Sequence, residues 1–224
     1  MAGNTVVLKP PPQAPLTSLA LAEIAADILP PGVLNIVSGQ NASLGQALVS
    51  DPRVRRVSLT GSVPTGKAVM RTAADHLADV TLELGGKNPL IVYPDATVDA
   101  AVRGAIRAMN FGWQGQSCGS TSRVIVHESV HAEFCERLVD VLQGMRIGSP
   151  QDPATQIGAM ISQAHYDRVL RYIEIGKAEG ARLLTGGGRP PGFERGFYVE
   201  PTVFDGVTEH MRISVKRSSA RSWR

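Results

Sequence analysis

Short apolar runs alternate with helical stretches from the first residues onward, and that alternation limits the fold more than anything else in the chain. Asn4-Thr-Val-Val-Leu8 reads as a strand, and three prolines, Pro10 to Pro12, close it. Leu16–Leu29 has helical periodicity and is stopped by Pro30-Pro31-Gly32. Val33–Val37 is a second strand, Ser43–Val49 a short helix, and Val54–Leu59 a third strand. Thr60-Gly61-Ser62 turns that strand into a helix over about Pro64–Asp75, and Val80–Leu84 is a fourth strand. Strands that alternate with helices at this spacing imply an α/β fold, a parallel sheet with helices on its faces.

A second series follows a break near Gly85-Gly86. Helices are expected over Val98–Met109, Ser129–Gln143 and Ser162–Glu179, and strands over Val124–Val126, Ala181–Leu184 and Phe197–Val203. Pro201 suggests an edge position for the last strand. The sequence has no internal repeat, low-complexity tract or long linker.

Composition removes several classes of function. With 224 residues, 43% hydrophobic and 19% charged, the chain is that of an ordinary globular protein. No apolar run approaches the roughly 18 residues of a membrane span, and the start lacks the pattern of a signal peptide. Two cysteines, Cys118 and Cys135, make no disulfide framework, so a reducing cytoplasm is expected. The net charge of +3 hints at an anionic partner. However, residues 214–224 carry Lys216, Arg217, Arg221 and Arg224 and no acid, and without them the charge is −1. No nucleic-acid partner follows from such a balance.

The chemistry concentrates in two stretches. Cys118 lies in Gln114-Gly-Gln-Ser-Cys118-Gly-Ser, among glycines and small polar residues that let a substrate and backbone donors come close. Donor-rich surroundings and a following helix would favour its thiolate as a nucleophile; the plainer alternative, an inert buried thiol, suits Cys135. Glu83 ends an apolar strand beside Leu82 and Leu84. Partial burial would raise its pKa and make it a general base, and the alternative is a solvated strand-end carboxylate. Gly61-Ser-Val-Pro-Thr-Gly66-Lys67 has the spacing of a phosphate-binding loop. Ala68 replaces the expected hydroxyl and Pro64 removes a backbone N–H, which favours a glycine-mediated strand-to-helix turn with its helix N-terminus facing an anionic cofactor, or equally a simple tight turn with no ligand. Lys9, at a strand end, could reach a ribose or phosphate, or simply be solvated. No His, Cys and carboxylate set has metal-ligand spacing, and no Ser–His–Asp order stands out. Trp113 and Phe111 read as local packing.

Taken in order, these segments resemble the aldehyde dehydrogenase superfamily. Leu82-Glu83-Leu-Gly-Gly-Lys87 is similar to its glutamate signature and Gln114-Gly-Gln-Ser-Cys118 to its cysteine signature. Asn4-Thr-Val-Val-Leu-Lys9-Pro10, Leu29-Pro-Pro-Gly-Val-Leu-Asn35, Leu59-Thr-Gly-Ser62 and Gly148-Ser-Pro-Gln-Asp-Pro153 also fall in family order, to about Ser214. The resemblance implies a thiolate of Cys118 attacking an aldehyde, NAD or NADP as hydride acceptor, and Glu83 activating the water that hydrolyses the thioester. It also implies that Lys9, Gly39, Thr60, Gly61 and Ser62 line the dinucleotide, with Ser62 opening the helix nearest the pyrophosphate and Leu84 near the nicotinamide. A small-molecule aldehyde is the expected partner, and full-length family members are homo-oligomers. A CoA-acylating relative is the alternative chemistry, which Glu83 disfavours.

Three departures bear on these expectations. Pro12 stands where many NAD-preferring members carry a ribose-binding glutamate, so cofactor preference stays open. Trp113 replaces a common asparagine. By the resemblance, both ends of the family enzyme lie outside the chain, including an asparagine of the oxyanion hole, a donor whose loss typically costs about 10²–10³ in rate. A chain with the family's residues and little or no activity is therefore the other expectation. Residues 1–84 would be part of a Rossmann-like cofactor domain, and 85–213 part of an α/β catalytic domain. Residues 214–224 would be a basic tail read out of frame. One permitted codon choice for Val215–Arg224, shifted by two bases, encodes Glu-Glu-Ile-Phe-Gly-Pro-Val-Leu-Ala, the family segment expected there.

Overall fold

A computed structural model describes residues 3–40, 42–215 and 222–223. The chain forms two compact units, Met1–Leu84 and Gly85–Arg224.

The first unit runs β1 (Val6–Leu8), α1 (Leu16–Ala26), β2 (Leu34–Ile36), α2 (Ala42–Ser50), β3 (Arg56–Gly61), α3 (Val63–Ala74) and β4 (Asp79–Leu84). The parallel arrangement expected from the alternation is present, but as two separate couples. β1 pairs with β2, and β3 with β4, in register Thr60↔Glu83 and Gly61↔Leu84. α1 ends at Ala26, short of the expected Leu29, because Asp27 and the residues before Pro30 leave the helix. Burial is sparse. Pro10, Gly66, Val69 and Ala73 are the buried residues among those described in this unit, and Leu16 of α1 is 77% exposed. The best-packed seam is α3 on β4, where Gly66 leaves room for Leu84. A Cβ there would come within 2.9 Å of the leucine's Cδ2.

The second unit holds β5 (Pro89–Val92), α4 (Val98–Ala108), β6 (Arg123–Val126), α5 (Glu128–Gln143), α6 (Gln163–Ala178), β7 (Arg182–Thr185), β8 (Thr202–Asp205), α7 (Arg212–Val215) and β9 (Ser222–Trp223). β5 and β6 pair in parallel. β7 and β8 are antiparallel, and β9 adds to β8 in parallel. β8 is thus the middle strand and not the expected edge, because Pro201 precedes the strand and costs it no ladder hydrogen bond. Most of the tail expected to be out of frame, residues 216–221 and 224, lies outside the described residues; Ser222 and Trp223 supply the backbone of β9.

Strand period explains the core of this unit. Successive side chains of a strand point to opposite faces. Val203 therefore joins a cluster with Val92, Val102, Phe111, Phe134 and Leu138, while Phe204 joins Tyr166, Val169, Ile173, Val199 and Ile213. Helix period does the same on α5, which buries Phe134, Leu138 and Leu142 along one face. Gly176 of α6 is needed for close approach: a Cβ would meet Ile213 Cδ1 and Phe204 Cζ, each at 3.0 Å.

Candidate active site

Cys118 sits on a turn between α4 and β6, and its side chain is exposed. A short 3₁₀ turn, Phe111–Trp113, precedes it. Asn110 and Gln114, flanking that turn, are left-handed at φ 57° and 54°. Non-glycine residues hold such conformations only when their surroundings impose them. Here Gly115 N–H donates to Asn110 O at 2.9 Å, and the Ser120 hydroxyl, buried, donates to Met109 O at 2.8 Å. Gln116 Oε1 accepts from Ile161 N–H at 3.1 Å. Phe111 is buried as expected, whereas Trp113 is 68% exposed and does not pack.

The turn is gripped from the residues that lead into β5. Asn88 Nδ2 donates to Cys118 O at 2.7 Å and to Ser120 O at 3.3 Å. Arg123 donates from Nε and Nη2 to Lys87 O at 3.0 and 2.6 Å. Gly86 permits this placement, since a Cβ on it would overlap Asn88 Oδ1. The cysteine backbone is therefore fixed while its thiol stays open to solvent. Asn88 follows the glutamate signature by one residue; its grip on Cys118 spans thirty residues and has no local sequence signal. The expected helix after Cys118 is absent. The chain goes through Gly119 directly to β6, because Ser120 turns inward, so no helix N-terminus assists the thiolate.

Glu83 and the expected cofactor residues all lie in the first unit. Glu83 is the penultimate residue of β4 and is exposed, which corrects the expected partial burial. Strand alternation turns Leu82 and Leu84 inward toward α3 and Glu83 outward. Thr60 and Gly61 end β3 beside Glu83 and Leu84, and Lys9 and Gly39 follow β1 and β2. Ser62 opens α3 as expected: its Oγ accepts from Thr65 N–H at 3.3 Å. Thr65, Gly66 and Lys67 are already helical, and Gly66 is buried against Leu84. Gly61–Lys67 is thus a capped strand-to-helix turn and not a phosphate-wrapping loop. Lys9 Nζ donates to Pro10 O at 2.9 Å. These residues suit a dinucleotide: each follows or ends a parallel strand at its carboxyl end, with a helix N-terminus among them.

The fold also assembles a group that sequence spacing did not suggest. His131 and Cys135, one turn apart on α5, meet Asp205 at the end of β8. His131 Nε2 lies 3.0 Å from Asp205 Oδ1 and 3.5 Å from Cys135 Sγ. Cys135 is half-buried and not fully inert-buried as expected; burial, then the Asp205 charge, pushes its thiol up to about 11. For Asp205, burial alone would raise the carboxyl. The Arg182 guanidinium, Gly206 N–H and His131 outweigh it and hold the pKa below 3.8. A carboxyl depressed in the folded state stabilises above its unfolded pKa and loses that contribution as pH falls through the folded value. Acid is therefore expected to destabilise the wild-type chain below about pH 4 more steeply than Asp205→Asn. Urea midpoints measured across that window check this, and parallel curves for the two proteins would exclude it.

In class, the chain is an α/β protein of parallel strand couples with a free thiol on a constrained turn. The description of the Aldehyde dehydrogenase family matches residues 1–216, and the chain belongs to that family. It is 52% identical over 218 residues to aldehyde dehydrogenase tropH of Talaromyces stipitatus, covering 95% of this chain and 42% of that protein. It is 48% identical over 215 residues to the betaine aldehyde dehydrogenase of Brucella anthropi, covering 95% and 44%. Among solved structures, a mutant of aldehyde dehydrogenase C from Pseudomonas syringae, complexed with NAD+ and octanal, superposes with a TM-score of 0.95 at 39% identity. That match covers 99% of this chain and 46% of the other. Betaine aldehyde dehydrogenase from Staphylococcus aureus in complex with NAD+ gives 0.94 at 32% identity, covering 98% and 44%. The fold is thus a partial aldehyde dehydrogenase fold, and the chain spans less than half the length of these relatives.

Proposed function

We propose that the chain carries the reactive centre of an NAD(P)-dependent aldehyde dehydrogenase, with Cys118 as nucleophile and Glu83 as general base. The observation that carries this reading is the exposed Cys118 thiol on a backbone fixed by Asn88. The Cys118 thiolate adds to the carbonyl carbon of a small-molecule aldehyde and forms a thiohemiacetal. A bound NAD(P)+ would supply the acceptor for the hydride that leaves this carbon, and loss of that hydride turns the Cys118 adduct into a thioester. Glu83 takes a proton from water, the hydroxide attacks the thioester, and the carboxylic acid departs as the thiolate is restored. Lys9, Gly39, Thr60, Gly61, Ser62 and Leu84 would hold the dinucleotide. The presence of a carboxylate at Glu83 supports water as acyl acceptor over CoA. Two free thiols suit the reducing cytoplasm.

The test is labelling of the purified chain with iodoacetamide at neutral pH, followed by peptide mapping. A pKa of about 11 in place of 9.0 leaves Cys135 with about a hundredfold less thiolate than an ordinary thiol. Cys118, exposed, is expected to label faster than the half-buried Cys135, at a rate that NAD(P) changes. Equal, slow labelling of both cysteines that ignores the cofactor would mean that the residues are present but the site is not assembled.

A further inference from the structure

We propose that His131, Cys135 and Asp205 form a binding site for one thiophilic divalent cation of the zinc type, in a part of the second unit that uses neither Cys118 nor Glu83. Three ligand atoms of three kinds, an imidazole nitrogen, a thiol sulfur and a carboxylate oxygen, lie within 4.8 Å of one another. His131 and Cys135 are spaced i, i+4 on α5 and so share a helix face, as paired helical zinc ligands do. Asp205 enters from the end of a buried strand.

The distances decide between three uses of this trio. A nucleophilic triad needs the thiol and the carboxylate on opposite nitrogens of the imidazole. Here both approach Nε2, Sγ at 3.5 Å and Oδ1 at 3.0 Å. Thiol and carboxylate therefore meet the same ring nitrogen and do not form a relay. A plain His–Asp ion pair would account for His131 and Asp205 but gives the sulfur no part. A tetrahedral zinc ion, with bonds of about 2.0–2.3 Å, sets its ligands roughly 3.4–3.6 Å apart. The Sγ–Nε2 separation already meets that value, and Nε2–Oδ1 needs to open by only a few tenths of an ångström.

The surroundings agree. A recess of about 30 Å³ borders the trio and is lined by Val126, Phe134, Leu138 and Val203. That volume takes one ion or one water, and the apolar walls lower the local dielectric. Arg182 pairs with Oδ2 of Asp205, which leaves Oδ1 toward the other two ligands and fixes the carboxylate plane. Gly206 N–H also donates to Oδ1, at 2.7 Å, as a second support. A Cys thiolate, a neutral His and an Asp carboxylate would give the cation two negative charges, one of them shared with Arg182. Binding deprotonates Cys135 and releases that one proton to solvent, and a water completes the fourth position.

Titration of the full chain with Co²⁺ and then Zn²⁺ tests this. One equivalent of Co²⁺ is expected to bind and give a thiolate-to-cobalt charge-transfer band, which Zn²⁺ abolishes. The band should survive Cys118→Ser and vanish in Cys135→Ser, and His131→Asn and Asp205→Asn should each weaken binding by about tenfold or more. Absence of saturable binding by the folded wild type, or a band that survives Cys135→Ser, overturns the site. If circular dichroism shows Cys135→Ser to be unfolded, His131→Asn and Asp205→Asn decide, and undiminished affinity in both overturns it.

Discussion

Cys118→Ser is expected to lower aldehyde-dependent NAD(P)H formation by about 10⁴-fold or more. The hydroxyl keeps the shape of the side chain, and Asn88 holds the backbone carbonyl of residue 118, not its side chain. The turn should therefore survive, along with Ser120 on Met109 O and Gln116 on Ile161 N–H. What is lost is a sulfur nucleophile that can attack the carbonyl and leave again from an acyl group. Glu83→Gln should instead preserve the first turnover and slow the ones that follow, because the task proposed for Glu83 begins only after the thioester exists. Stopped-flow measurement of cofactor reduction separates these two cases. Activity within tenfold of wild type in Cys118→Ser would remove the cysteine from the mechanism, and unchanged circular dichroism would exclude misfolding as the cause of a loss.

The features legible in the chain were those set by local rules. Ser62 before its helix, the strands near Val54–Leu59 and Val80–Leu84, and the helix near Ser129–Gln143 each follow from a few neighbouring residues, and the structure shows all of them. What escaped depends on distant partners. β5 is a four-residue strand that begins at Pro89, and nothing in Pro-Leu-Ile-Val separates it from a loop until β6 lies beside it. The burial expected for Glu83 treated apolar neighbours as cover, although in a strand they face the other way. The missing helix after Cys118 reflects the inward turn of Ser120, whose partner is Met109. Asp205 meets His131 and Cys135 only because the fold brings the end of β8 to α5, a contact between residues 74 apart in the chain.

Phe134→Ala is expected to destabilise the second unit by about 3–5 kcal/mol, the range for a buried phenylalanine cut to alanine. Phe134 is 2% exposed and packs in the cluster formed by Val92, Val102, Met109, Phe111 and Leu138. The cavity it leaves would lie between α5 and the β5–β6 couple, both held by regular hydrogen bonding, so relaxation should fill little of it. Helix propensity works in the opposite direction, since alanine favours a helix by at most about 0.7 kcal/mol, and the cavity dominates. Val141→Ala on the same helix is the matched control: Val141 is 47% exposed, and surface changes of this kind fall within about 0.5 kcal/mol. Thermal melts should separate the two by roughly 10–20 °C. A loss below about 1 kcal/mol in Phe134→Ala, against the 3–5 of a filled core, would mean that this cluster does not hold the unit together. The clamp of Asn88 on Cys118 would then need another foundation, because β5, which follows Asn88, is anchored in that same cluster through Val92.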